Sequence, residues 1–231
     1  FFVNSLLDAA ACDGCGLCIE KCPAQALSLE AGVAEVNQAL CKGCGSAIAA
    51  CPRDALDLHC YTNGQMLAQV EAALSGKAEG DVRVLVFADE MTGYRLADNV
   101  GTAKMPYSLD ARIVRIPSCG RVTPKLMLQA VSLGADGILL GESEAKSNPY
   151  PESVKTITGN LSRVKAVLKN RGVDPERVRL VQFVTVMLAG FVNSINGLSE
   201  FARKAGPVPE PLREALRDQI HTDLFGDGHG T

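Results

Sequence analysis

The chain has 231 residues, 47% of them apolar and 21% charged, with a formal charge of −3; that is room for one large or two modest globular domains, with no basic footprint for nucleic acid. Its longest apolar run, FVTVMLAGFV from Phe183 to Val192, is about half the ~18 residues that a spanning helix needs, so no direct membrane span is expected.

The first apolar residues lack a basic flank and a cleavage site, so no signal peptide is expected. Beginning at Phe1, the chain reads as a processed product or part of a longer polypeptide. Eight of the nine cysteines fall within the first sixty residues. The odd total, the absent leader and the metal-ligand spacing favour reduced thiols over a disulfide framework, and with them a cytoplasmic location. Up to Cys60 the chain carries three basic and seven acidic residues; the rest carries 20 and 19, so the net negative charge belongs to the small first lobe. Sixty residues bury little core, and bound metal is a usual remedy.

That lobe reads CDGCGLCIEKCP from Cys12 to Pro23, the bacterial ferredoxin spacing C-x2-C-x2-C-x3-C-P. Three cysteines of such a motif wrap a Gly-containing loop around one cluster, and the fourth ligates the other cluster. Twenty-nine residues on, CKGCGSAIAACP repeats the pattern, and Ala26-Leu27-Ser28-Leu29 returns as Ala55-Leu56-Asp57-Leu58. The spacing therefore predicts Cys12, Cys15, Cys18 and Cys51 around one [4Fe–4S] cluster, and Cys22, Cys41 and Cys44 around a second. A fourth ligand is missing from the second set, because Ala47 stands where Cys18 predicts a thiol. Four outcomes stay open. The site holds a [3Fe–4S] cluster, or a [4Fe–4S] cluster whose last iron meets water, Ser46 or Cys60, or a cluster completed by another domain, or nothing. His59, beside Cys60, is expected to be structural or solvated.

Beyond Cys60, a helix is expected over Gly64–Leu74 as a linker (61–80), from the apolar stripe of LAQVEAAL. Strands are expected at Val82–Ala88, Arg112–Ile116, Gly137–Leu140 and Val178–Val184. Helices should lie between them: a weak one ending near Val100, one opened by Thr123 and Pro124 and closed at Gly134, one over Ser153–Asn170, and one over Gly190–Ala205. The fold class is therefore an α+β dicluster ferredoxin domain (1–60), then an α/β domain (81–206) with a four-stranded parallel sheet in flavodoxin-like layers. A short helix over Pro211–Ile220 and a loose Gly-rich tail, carrying His221 and His229 with no assigned role, complete the chain (207–231).

A phosphate-binding loop should follow the first strand of such a lobe. Here that loop is Asp89-Glu90-Met91-Thr92, whose carboxylates repel phosphate, so a flavin site is not expected. A receiver domain would need an Asp ending its third strand, and Leu140-Gly141-Glu142 supplies none. Asp89 and Glu90 themselves read as a solvated loop edge, and Arg121 as the mate of an acidic partner or a turn cap.

The phrases RIVRIPSCGRVTPKLMLQAVSLGADGILLGE and TGNLSRVKAVLKNRGVDPERVRL resemble the delta-subunit domain of methyl-viologen-reducing hydrogenase. Together with the two-motif ferredoxin and QMLAQVEAAL, the chain is similar to the C-terminal region of heterodisulfide reductase A-type flavoproteins and to the B subunit of the quinone-interacting membrane-bound oxidoreductase. The resemblance covers residues ~10–206 and implies an electron-transfer segment in a heterodisulfide reductase-like or quinone-linked complex, with a flavoprotein and other redox subunits as partners. Any membrane association would come through those partners. It also implies a [2Fe–2S] cluster held by cysteines after successive strands. Those positions here are Asp89 to Thr92, Ser118 and Glu142 to Asn148, with Cys119 one residue out of place, so no [2Fe–2S] cluster is expected. No catalytic residue of the chain's own is visible. The alternative function is an assembly or docking role in which the clusters are structural.

Overall fold

Five of the six residues of one strand, Val84–Asp89, are apolar and all six are buried, which places that strand at the centre of its sheet, covered on both faces. In the computed structural model, which describes residues 4–78, 80–146 and 148–221, the chain folds into two lobes. The tail residues 222–231, with His229, lie outside the described residues.

The small lobe carries its duplication in the backbone. β1 (Ser5–Leu7) pairs antiparallel with β4 (Leu56–Leu58), and β2 (Leu27–Glu30) pairs antiparallel with β3 (Val33–Val36). A short helix, α1 (Leu17–Glu20), follows the first cysteine loop, and a 3-10 turn over Ile48–Ala50 takes its place in the second. Positive φ recurs at the same 29-residue offset as the motif: Gly14 and Gly43, Gly16 and Gly45, Gln25 and Asp54, Ala31 and Cys60. Hydrogen bonds recur too, from Ile19 N to Gly16 O and Ile48 N to Gly45 O, and from Cys22 N to Ile19 O and Cys51 N to Ile48 O. Gly14 is obligatory for contact as well as for φ, since a Cβ there would lie 2.3 Å from the Gly32 carbonyl oxygen.

The large lobe begins with α2 (Asn63–Leu74), opened by a capping box in which Thr62 and Gln65 satisfy each other's backbone amides. Then β5 (Val84–Asp89), α3 (Gly93–Thr102), β6 (Ala111–Ile116), α4 (Pro124–Ser132), β7 (Gly137–Ser143), α5 (Pro151–Asn170), β8 (Val178–Phe183), α6 (Leu188–Ala205) and α7 (Glu210–His221) follow. The four strands are parallel in the order β6-β5-β7-β8. Period-two alternation divides β5 between two layers: Leu85 and Phe87 pack with Met66, Met127 and Ile157, while Val84, Val86 and Ala88 pack with Leu96, Phe191 and Ile195. Helices α2, α4, α5 and α7 therefore cover one face, and α3 and α6 the other. The helix expected as a linker is part of the first layer, with Met66, Val70 and Leu74 in its core. Among the described residues no helix is long and apolar enough to cross a membrane.

A buried guanidinium joins the lobes. Arg121, in the 3-10 turn Cys119–Arg121 ahead of α4, is 0% exposed. Its Nε donates to the Tyr61 carbonyl oxygen at 2.9 Å, and its Nη2 donates to Asp57 Oδ1 at 3.0 Å and Asn63 Oδ1 at 2.9 Å. Burial pushes its pKa down while Asp57 and Asp54 push it up, and a guanidinium stays charged throughout. Arg121→Ala removes three hydrogen bonds and an ion pair, leaving Asp57 with only its backbone donors Leu58 N and Asn63 N, and is expected to cost about 3 kcal/mol of stability. Arg121→Lys should not restore it, because an ammonium cannot reproduce the planar fork. Urea midpoints of the two variants against the parent check this.

Candidate metal centres

Thiols from both halves of the small lobe converge on two cavities. One is lined by Cys12, Cys15, Cys18 and Cys51. The other is lined by Cys22, Cys41 and Cys44, with Ala47 on its wall. Cys51 of the second motif thus reaches the first cavity, and Cys22 of the first motif reaches the second. All nine cysteines are free thiols.

Among the described residues no three His, Cys, Asp or Glu side chains close on a point that suits a single metal ion. The thiols line two shared spaces, and cysteine thiolates are the ligands that iron–sulfur clusters take. Burial pushes the Cys18 thiol up, and Cys51, Cys15 and Cys12 add repulsion. Burial likewise raises Cys44, with Cys22 and Cys41 adding to it and Ser46 opposing, and it raises Cys15. Groups so crowded ionise only with positive charge among them, so the donor sets fit a cationic metal core.

The two cavities differ in surroundings. Cys15 is exposed, whereas Cys44 is buried. The Cys41–Cys44 loop is clamped from above: Ser118 Oγ donates to the Cys44 carbonyl at 2.8 Å, and the Tyr150 hydroxyl to the Lys42 carbonyl at 3.2 Å. Gly45 has φ +81 and no room for a side chain, since a Cβ would lie 2.7 Å from Arg121 Cβ. Both sets have polar contacts to sulfur. In the first, Ala34 N donates to Cys12 Sγ at 3.4 Å, and backbone amides of Leu17 and Cys18 act on the Cys15 and Cys18 sulfurs. In the second, Ala26 N donates to Cys22 Sγ at 3.3 Å, Ser5 Oγ lies 3.3 Å from Cys41 Sγ, and Ser46 Oγ lies 3.7 Å from Cys44 Sγ.

Neither candidate for the missing ligand lines the second cavity. Ser46 is buried against the large lobe, where a Cβ on Gly120 would come within 2.6 Å of its Oγ. Cys60 is exposed in the turn after β4, at φ 68. His59 is exposed beside it. Among the described residues, three thiols and the Ala47 methyl line that cavity together with two polar side chains, Ser5 and Lys42.

At the carboxyl ends of the large lobe's strands lies a buried polar cluster. Asp89 is 1% exposed, not the solvated edge its sequence neighbours suggest. Its Oδ1 accepts from Gly93 N at 2.7 Å, and its Oδ2 from Met91 N, Thr92 N and Ser143 Oγ. It closes the α3 N-terminus, where an acidic partner to the free amides stabilises the helix. Glu90 does remain at the surface, paired with Arg115 at 2.9 Å. Glu142 is 0% exposed and accepts from Cys119 N at 2.6 Å, Ser143 N, Asn148 Nδ2 and Ser153 Oγ. Cys119 is fully buried, and burial, with Glu142 and Asp89 nearby, pushes its thiol well up. The positions after β5, β6 and β7 therefore bind one another.

A small lobe with two thiol-lined cavities on a duplicated frame, followed by a parallel α/β lobe, defines a dicluster ferredoxin joined to a three-layer module. Residues 5–54 match the 4Fe-4S dicluster domain family, so the lobe is an iron–sulfur ferredoxin. Residues 84–206 match the family described as methyl-viologen-reducing hydrogenase, delta subunit, and the chain belongs to that family. It is 32% identical over 90% of its length to the A subunit of the ferredoxin/F420H2-dependent CoB-CoM heterodisulfide reductase of Methanosarcina acetivorans. It is 31% identical over 90% of its length to the A subunit of the ferredoxin:CoB-CoM heterodisulfide reductase of Methanosarcina mazei. The chain spans about a quarter of each of these relatives, 26% in both cases. Over 56% of the chain and 94% of the relative, it is 27% identical to the iron-sulfur D subunit of the F420-non-reducing hydrogenase of Archaeoglobus profundus.

Burial, with Asp89 nearby, pushes Glu142 up to about 7, against the opposing hydrogen bonds from Cys119 and Ser143. An acid whose pKa is higher in the folded than in the unfolded chain retains more protons when folded. Stability is therefore expected to fall as pH rises from about 4.5 to about 7. Glu142→Gln should flatten that slope while lowering stability at every pH, because its amide would face donors. Urea midpoints across this window check the sign.

Proposed function

We propose that the chain is an electron-transfer module of a larger oxidoreductase complex. Cys12, Cys15, Cys18 and Cys51 hold a [4Fe–4S] cluster, and Cys22, Cys41 and Cys44 hold a [3Fe–4S] cluster. Such clusters, when bound, supply one-electron carriers whose potentials follow net charge, hydrogen bonds to sulfur and solvent exposure. What carries the proposal is the interleaving of thiols, with each cavity drawing on both motifs. The family matches and the printed names of the relatives support it.

The two sites differ in ligand number and in exposure: the second set has one thiolate fewer, and Cys15 of the first is exposed. Both properties act on a cluster's potential, so the two clusters take different potentials and form a stepped path for electrons. A flavoprotein and other redox subunits are the partners this assignment implies, and the named relatives make a heterodisulfide reductase-like assembly the setting.

The type of the second cluster has a direct test. The parent should contain about seven irons per chain and give, when oxidised, the EPR signal of a three-iron cluster. Ala47→Cys restores the missing corner, so iron should rise to about eight and that signal should vanish. A parent with about eight irons and no such signal overturns the [3Fe–4S] assignment, and about four irons leaves the second site without a cluster. Dithionite should bleach both clusters in the folded protein. Clusters that stay oxidised until unfolding would point to a structural role.

A further inference from the structure

A cleft separates the small lobe from α5. It offers about 500 Å³ of room for solvent, within the size range of small-ligand sites. On one side stand Glu20, Lys21 and Cys22; on the other, Glu152, Lys155, Thr156, Gly159, Asn160 and Arg163 form a single stripe of α5. Two features make it more than a gap between lobes. A Cβ on Gly159 would meet nothing within 4 Å, so that part of the wall is open. Asn160 is 5% exposed, and its side-chain amide nitrogen has no hydrogen-bond partner. A buried donor left unmatched is costly in a folded protein, and it calls for an acceptor from outside.

Charge says what kind of acceptor. Lys155 is engaged by Glu152 at 2.9 Å. Lys21 and Arg163 make no ion pair with another described side chain, and only Glu20 among the remaining lining residues opposes them. We propose that this cleft binds a small organic anion through its carboxylate or phosphate group. Asn160 Nδ2 donates to an oxygen of that group, and Lys21 and Arg163 neutralise its charge. Cys22 lines both this cleft and the second thiol cavity, so the bound anion lies beside that cavity. If Cys22 holds a cluster as proposed above, the anion opposes its reduction; binding itself does not depend on that assignment.

Calorimetric titration of the full, cluster-loaded chain with succinate and with glycerol 3-phosphate tests this and separates the two headgroups. One of them should saturate a single site. Asn160→Leu and Arg163→Ala should each weaken binding about tenfold, and Asn160→Leu should not lower the melting temperature, since the amide nitrogen has no partner to lose. Should Asn160→Leu fold poorly, Arg163→Ala reads the same site from an exposed position. Failure of both probes to saturate overturns the proposal, and so does binding indifferent to both variants. A tenfold preference for the oxidised protein would lower the second cluster's potential by about 59 mV for one electron. Saturable, variant-sensitive binding without any potential shift would uphold the cleft and contradict the assignment of Cys22.

Discussion

One buried guanidinium decides how the two lobes meet. Arg121 leaves the turn before α4 with no solvent contact and anchors on Tyr61, Asp57 and Asn63 at the end of the ferredoxin lobe and the start of α2. Its own Cα and Cβ then occupy the space where Gly45 would carry a side chain. The second cysteine loop therefore takes its positive-φ turn against Arg121, and Ser118 and Tyr150 fasten the loop's carbonyls from the same side. Desolvating a charge is expensive, and the expense is tolerable only where acceptors are fixed in place. That condition ties the geometry of the Cys41–Cys44 loop to the packing of the large lobe.

The consequence is an asymmetric pair of sites on a symmetric frame. Backbone conformation repeats at four pairs of positive-φ positions, yet Cys15 of the first cavity is exposed, whereas the Cys41–Cys44 loop of the second is held by Ser118 and Tyr150 of the large lobe. Ala47 adds a chemical difference to that positional one. Within the large lobe, the strand ends where the resemblance implies a further cluster hold Asp89, Ser118 and Glu142. Each is buried and hydrogen-bonded within the chain. These groups neutralise helix and loop amides, so the lobe keeps its fold there with polar side chains in place of thiols.

Much of the fold was legible because its signals are local. Thr123, Pro124 and Gly134 bracket α4 by backbone preference alone, and the apolar stretch at Val84–Ala88 needs no partner to be read as a buried strand. The cysteine sets were legible because spacing and a 29-residue repeat encode them. What escaped notice depends on residues far apart in sequence. Adjacent Asp89 and Glu90 look alike, but only Asp89 meets Ser143 from a strand 54 residues on. Arg121 finds its acceptors about sixty residues upstream, and Asn160 shows its unmatched amide only once α5 faces the small lobe. Cys60, attractive in sequence as a spare ligand, is turned outward by the same backbone repeat that gives Ala31 its positive φ.

The central claim is that each iron site draws thiolates from both motifs. Anomalous diffraction from crystals of the anaerobically purified chain, collected on both sides of the iron and zinc edges, tests it most directly. Two iron peaks are predicted, one bounded by the sulfurs of Cys12, Cys15, Cys18 and Cys51, the other by those of Cys22, Cys41 and Cys44. Zinc at either position, disulfides among these thiols, or an iron peak served by cysteines of one motif alone would contradict the account.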